Sequence, residues 1–257
     1  KTYSVIGISK DAFRNCSRVR SVTIPESVKT IGEGAFKGCS GLQTIKLPNG
    51  INEINESVFE DCTTLLSVNL PDSLEKIADK AFKGCSSLTA LSLPATVNDF
   101  DIHSVDGCKD LTSIAVDTLC NIYSSEGGVL YNKNMTRLMR CPEGKTSVSI
   151  PESVREISTY AFYGCYKMTG INIPASIGYL GDFAFVNCTA LTEISFPESI
   201  KLIPEGAFKD CTALKKVSLS NATSVVRNNA FYGCTALAEV SFPAIVEIGE
   251  KAFYNCS

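Results

Sequence analysis

"IGEGAFKGCSGLQTIKLPNG" runs from Ile31 to Gly50. One period later the chain reads "INESVFEDCTTLLSVNLPDS" from Ile54 to Ser73, and then "IADKAFKGCSSLTALSLPAT" from Ile77 to Thr96. Cys16, Cys39, Cys62, Cys85 and Cys108 stand 23 apart, as do Cys165, Cys188, Cys211 and Cys234; Cys256 follows after 22. Ten of the twelve cysteines therefore mark one phase of a repeat, one structural position used again and again and not a set of pairs. A fixed period in this range decides the architecture before any local propensity does.

Aligned on the cysteine, the unit reads Cys-x-x-Leu-x-x-Ile-x-Leu-Pro-x-x-Val-x-x-Ile-x-x-x-Ala-Phe-x-Gly. The copy from Cys39 supplies Leu42, Ile45, Leu47, Pro48, Ile51, Ile54, Val58 and Phe59. The copy from Cys188 supplies Leu191, Ile194, Phe196, Pro197, Ile200, Ile203, Ala207 and Phe208. Leu-x-x-Ile-x-Leu holds a strand, since its last apolar pair is spaced by two and points one way. Pro ends the strand because it cannot donate to a ladder. The Val-x-x-Ile pair turns inward across the coil, and Ala-Phe-x-Gly-Cys reads as a short helical or 3₁₀ turn on the far side. One unit cannot cover its inward residues alone, so equal coils must stack. About ten coils at ~4.8 Å each give a parallel sheet some ~50 Å long.

These offsets, with Cys and Ala-Phe, resemble the leucine-rich repeats of the BspA-like type, also called the Treponema pallidum type. The resemblance covers nearly the whole chain. It implies an α/β fold: a right-handed leucine-rich repeat solenoid with one parallel strand per ~23-residue coil on the concave face and short helical or 3₁₀ turns on the convex side. It also implies an exported or surface-anchored bacterial protein (some parasitic protists carry such proteins too), with adhesion to host matrix proteins or to other bacteria as the attributed role.

The pattern breaks in three places. Between Cys108 and Cys165 lies an irregular segment, 117–147, inside what reads as a single domain over 1–257. Within it "GGVLYNKNMTRLMR" predicts a β-hairpin, Val129–Tyr131 rising, "NKN" turning and Thr136–Met139 returning. "GVLYN" also resembles an insertion seen in the same family. The hairpin is either a local elaboration of the scaffold or an exposed binding element. At "FDIHSVDGC", Ser104 and Val105 replace Ala-Phe, and His103 is the one histidine of the chain. The shortened last interval at "FPAIVEIGE" reads as one residue lost from a turn. The chain starts partway through a coil and stops just after Cys256; bare end coils expose apolar edges, so the natural protein is expected to continue on at least one side.

Chemistry is weakly represented. Apolar residues make up 44% of 257 and charged residues 20%, with a net charge of −3, so there is no basic patch for nucleic acid. No apolar run is long enough to span a bilayer, and the opening "KTYSVIGISK" does not read as a signal peptide. There is no Cys-x-x-Cys, and one histidine supports neither a metal cluster nor a triad; no cofactor and no enzymatic activity are expected. In-register cysteines point parallel, which suits reduced core thiols better than bridges. Cys120 and Cys141, off the ladder, remain open as a pair. The acidic residues Glu26, Asp72, Glu152 and Glu198 follow the strand-ending Pro and read as turn residues. What remains is surface. The outward strand positions carry Arg20, Gln43, Thr44, Lys46, Asn69, Thr89, Thr112, Asn172, Thr192 and Lys215, a small, polar face without aromatic anchors. These are the candidate binding residues, with proteins as partners: host extracellular matrix or other bacterial surface proteins. The alternatives are a structural spacer displaying another domain, or a weak glycan-binding surface.

Overall fold

Each period of the sequence folds into one coil, and the backbone explains why the period is held so strictly. In the computed structural model, which describes residues 4–242 and 244–256, consecutive coils are joined on two faces by parallel strands and on the turn side by single N–H···O=C bonds. The chain divides into two compact units, Lys1–Gly128 and Val129–Ser257.

In the first unit the three-residue strands Ser21–Thr23, Thr44–Lys46 and Ser67–Asn69 form one parallel sheet, and Ala90–Leu93 pairs with Ser113–Val116. The register is one period throughout, with Val22 opposite Ile45 and Ile45 opposite Val68. The Val-x-x-Ile corner, read from the sequence only as an inward turn, makes a second strand of two residues. Gly7–Ile8 pairs with Thr30–Ile31, and Glu53–Ile54, Lys76–Ile77 and Asp99–Phe100 form a sheet of their own. The break between Ile31 and Ile54 has a local cause. The Asn55 side-chain amide donates to the Ile31 carbonyl at 2.7 Å, the acceptor that a main-chain N–H takes in the next coil, where Ala78 N donates to Ile54 O at 2.9 Å.

The second unit repeats the scheme. Glu193–Ser195, Lys216–Ser218 and Glu239–Ser241 form its three-residue sheet. The expected hairpin is present as Val129–Asn132 against Arg137–Arg140. Its returning strand takes the place of a two-residue strand, pairing in parallel with Glu156–Ile157, which pairs with Tyr179–Leu180. Leu202–Ile203, Val225–Val226 and Glu247–Ile248 form a further sheet. Ser241 pairs one full period from Ser218, while Glu247 pairs 22 from Val225. The lost residue therefore falls between Ser241 and Glu247, where Pro243 lies outside the described residues.

On the turn side, donors alternate. Gly34, Phe36 and Gly38 donate to Glu56, Val58 and Glu60 of the next coil at 3.0, 2.9 and 2.7 Å. Ala35, Lys37 and Cys39 donate three residues back within their own coil, at 3.1, 2.9 and 3.0 Å. A 3₁₀ helix would need every N–H for itself, so most coils carry a chain of linked turns there. The expected 3₁₀ piece forms at Ile102–Val105, the coil where Ser104 and Val105 replace Ala-Phe. The alternation demands left-handed backbone at two positions per coil, such as Gly34 (φ 61°) and Gly38 (φ 71°). Elsewhere Asn and Asp serve, as at Asn15 and Asp61, the residues that tolerate this conformation best after glycine.

The core of each unit is a set of columns. Phe13, Phe36, Phe59 and Phe82 stack at 5.1, 5.6 and 5.5 Å between ring centroids. Phe162, Phe185, Phe208, Phe231 and Phe253 stack at 4.7, 5.0, 5.3 and 5.1 Å. The strand-ending Pro opens a turn closed by the inward aliphatic three residues on, as in Val28 N to Pro25 O and Leu74 N to Pro71 O, both 3.0 Å. This is the turn role read for Glu26 and Asp72.

Candidate interaction surface

The outward side chains of the three-residue strands lie in rows set by the one-period register. In the first unit Thr44 stands between Ser21 and Ser67, and Lys46 between Thr23 and Asn69. All are exposed except their inward neighbours. Arg20, Gln43 and Leu66 form the row before the strand, with Gln43 N donating to Arg20 O at 3.0 Å and Leu66 N to Gln43 O at 2.8 Å. Thr89 and Thr112 continue the same position, Thr112 donating to the Thr89 carbonyl through both its N–H and its hydroxyl. Arg20 and Gln43 share a shallow cleft of about 550 Å³ with Ser17, Arg18, Gly41 and Thr64.

In the second unit Thr169, Thr192 and Lys215 form the corresponding row, joined by Thr192 N to Thr169 O (3.1 Å) and Lys215 N to Thr192 O (2.8 Å). Asn172 is exposed but lies outside a strand, one coil before Glu193–Ser195. Lys216 pairs with Glu239 across the sheet at 3.1 Å, both side chains more than half exposed. The ten candidate residues thus line one outward face in each unit. Beyond the cleft that Arg20 and Gln43 share, their side-chain hydrogen bonds run to row neighbours, as in Thr112 to Thr89 and Thr192 to Thr169.

Most of the thiols are buried. All twelve cysteines, Cys120 and Cys141 included, are free thiols. Most ladder thiols donate to a phenylalanine carbonyl of the preceding coil, as in Cys39 to Phe13 (3.0 Å), Cys62 to Phe36 (3.1 Å), Cys85 to Phe59 (3.1 Å), Cys188 to Phe162 (3.2 Å) and Cys211 to Phe185 (3.0 Å), while Cys165 faces the Cys141 and Pro142 carbonyls. Burial pushes the Cys62 thiol up to about 12. It raises Cys85, Cys165, Cys188 and Cys234 in the same direction. A neutral thiol is a poor nucleophile and a poor ligand. His103 lies inside the 3₁₀ turn, which Asp101 and Asp106 cap, with its Nδ1 2.9 Å from an Asp106 carboxylate oxygen. Among the described residues, no three His, Cys, Asp or Glu side chains gather as metal ligands would.

Two features escaped the sequence reading. Arg140 and Glu143, in the irregular segment, form a fully buried ion pair at 3.2 Å, and Arg140 also donates to Tyr160 O at 3.1 Å. Lys37 bonds Glu60 one period away; burial raises the Glu60 carboxyl, and hydrogen bonds from Lys37 and Ser57 more than offset it, so it sits below the usual range. Such pairs, with Lys10–Glu33 and Lys76–Glu53, follow the period and could have been read from it.

Stacked coils with a short parallel strand, an inward Leu/Ile/Phe column set and a polar outward strand face define a leucine-rich repeat protein in each unit. The chain belongs to the BspA-type leucine-rich repeat family: the family model for the BspA type leucine rich repeat region matches six copies over residues 6–135 and 140–257. A leucine-rich cell surface protein from Faecalibacterium prausnitzii A2-165 is similar at 27% identity, over 96% of this chain and 79% of that one, with a TM-score of 0.71. A leucine-rich repeat protein from Bacteroides ovatus ATCC 8483 is similar at 25% identity, over 99% and 81%, with a TM-score of 0.54. The pneumococcal vaccine antigen PcpA shares the fold at 23% identity, over 96% and 74%, with a TM-score of 0.70. No curated protein matches the chain.

Proposed function

We propose that this is a non-enzymatic, cell-surface or secreted binding module that engages proteins, host matrix components or other bacterial surface proteins, through the outward face of its three-residue strands. One observation carries the reading: Arg20, Gln43, Thr44, Lys46, Asn69, Thr89 and Thr112 in one unit, and Thr192 and Lys215 in the other, are exposed and ordered in rows at a fixed backbone register, with Asn172 exposed beside them in sequence. The short side chains among them, such as Thr44, Asn69, Thr89 and Thr192, lose less entropy on contact than Lys or Arg and offer weak hydrogen bonds. Such a face suits an extended, additive contact better than a single anchor. The surface assignment is supported by family membership and by likeness to the F. prausnitzii cell surface protein. Among the described residues no helix is long and apolar enough to cross a membrane. The test is capture on immobilised extracellular-matrix proteins, comparing this chain with a variant carrying Thr44→Glu, Lys46→Glu, Asn69→Glu and Thr89→Glu. All four side chains are exposed, so the fold is expected to survive while capture falls at least tenfold. Undiminished capture removes the strand face as the site.

A further inference from the structure

The second unit carries a cleft that the repeat does not predict. In this sheet of two-residue strands, the residue after the inward aliphatic donates its N–H to the coil before: Ala78 to Ile54 O at 2.9 Å, Gly181 to Ile157 O at 2.8 Å, Arg227 to Ile203 O at 2.9 Å. Position 204 is proline and has no N–H to give. The ladder stops between Tyr179–Leu180 and Leu202–Ile203, which fall in separate sheets. At that step lies a cleft of about 400 Å³ lined by Tyr179, Leu180, Asp182, Leu202, Pro204, Glu205, Arg227 and Asn228.

The composition of this patch also departs from the rest of the row. In the first unit the outward positions begin with Gly7 and Thr30 and are then charged in three successive two-residue strands, Glu53, Lys76 and Asp99, with Glu53 and Lys76 paired at 2.9 Å. The second unit begins with such a charged pair, Arg137 with Glu156 at 2.9 Å. The next three are Tyr179, Leu202 and Val225. Tyr179 is 54% exposed and Leu202 40%. Large apolar side chains left open beside a gap in a sheet, with Tyr among them, have the make-up of a contact anchor.

The charges say what fits. Asp182 and Glu205 both line the cleft. Asp182 Oδ1 is steadied by the Glu205 N–H at 3.2 Å. The one cation of the lining, Arg227, already faces Glu247 at 3.5 Å. The site thus offers an aromatic ring, an aliphatic floor and an excess of carboxylate. A Lys or Arg side chain matches all three: its stem packs on apolar surface, its cation over the ring and its N–H groups on carboxylate. Leu180 also lines the cleft, and its carbonyl lacks the coil-to-coil bond that Pro204 cannot make, so it can accept from the backbone of an extended segment. We infer that this cleft docks a basic side chain of an extended segment of a partner protein. The site is separate from the three-residue strand face and does not depend on that face binding anything.

The experiment is an amide-resolved NMR titration of the chain with the peptide acetyl-Leu-Arg-Leu-amide, and in parallel with acetyl-Leu-Gln-Leu-amide. The expected result is a saturable shift of the Tyr179, Asp182, Glu205 and Asn228 amides with the Arg peptide, at a Kd in the millimolar range, with the Gln peptide about tenfold weaker. Tyr179→Ala and Glu205→Gln, both surface changes, are each expected to weaken the Arg peptide several-fold. Pro204→Ala restores the donor found at Ala78, and is expected to close the cleft and abolish binding while raising the melting temperature. No shift at these amides up to about 10 mM peptide overturns the inference. So do equal shifts from the Arg and Gln peptides, binding unchanged in Glu205→Gln, or shifts produced by maltose in place of the Arg peptide.

Discussion

Cys85 shows what a single position in this repeat has to do. It is fully buried beneath the phenylalanine column, and its thiol reaches the Phe59 carbonyl at 3.1 Å. That carbonyl also accepts the N–H of Cys62, its own turn bond. The cysteine is thus a small hydrophobe that also carries a donor across to the neighbouring coil. Its buried, apolar phase is visible in the sequence from spacing alone. The hydrogen bond is not, because nothing in the repeat says which carbonyl lies above it. The same chemistry gives a pH dependence. Burial raises the folded thiols above their ordinary value, to about 12 for Cys62. The unfolded chain therefore loses thiol protons that the folded chain keeps. The contribution to stability is whole below about pH 8.5 and is lost as pH rises toward the folded values, by about 1.4 kcal/mol per pH unit for each such thiol. Urea titrations at pH 8, 9, 10 and 11 are expected to show stability falling with a slope that steepens above pH 9; a flat profile would contradict the burial of the ladder.

At the scale of elements, the hairpin and the three-residue strands were legible because they follow period-two alternation or end at proline. The two-residue strands were not: a pair such as Lys76–Ile77 is too short to show any alternation, and only stacking creates its partner. The irregular segment hides a buried ion pair. Arg140, with none of its side chain exposed, and Glu143, with 5%, sit in "RCPEGK", which reads as an ordinary turn. Removing one charge of a buried pair leaves the other without compensation, at about 3–5 kcal/mol. Arg140→Met is expected to destabilise the chain by that amount in urea unfolding. Arg140→Met combined with Glu143→Leu is expected to recover most of the loss. A mild single variant would mean the pair is already hydrated.

For the molecule, the period is the quantity that everything else obeys. Core columns, ion pairs such as Lys10–Glu33 and main-chain bonds from both strand faces recur at one interval. The sequence could therefore reveal the architecture without revealing the partner. The candidate rows were readable as outward positions, whereas the cleft at Pro204 was not, because it arises from a bond that fails to form between two coils. Deleting residues 54–76 joins Glu53 to Ile77 and removes one whole period. That variant is expected to fold, with an unchanged circular dichroism shape and a melting temperature within a few degrees of the parent. Deleting 54–77 instead puts Ala78 where Ile77 belongs, and is expected to abolish the cooperative transition.

The alternating donors of the turn side carry a consequence for how such a gene changes. Because the regular coils hand N–H groups to the next coil on the turn side, as Gly34, Phe36 and Gly38 do, successive regular junctions set the same donors against the same acceptors. Coding DNA can then gain or lose a period by misaligned exchange between copies, and the new junction meets partners it already fits. The number of coils is thereby free to be set by recombination and selection for reach, with folding acting only as the rule that steps be whole.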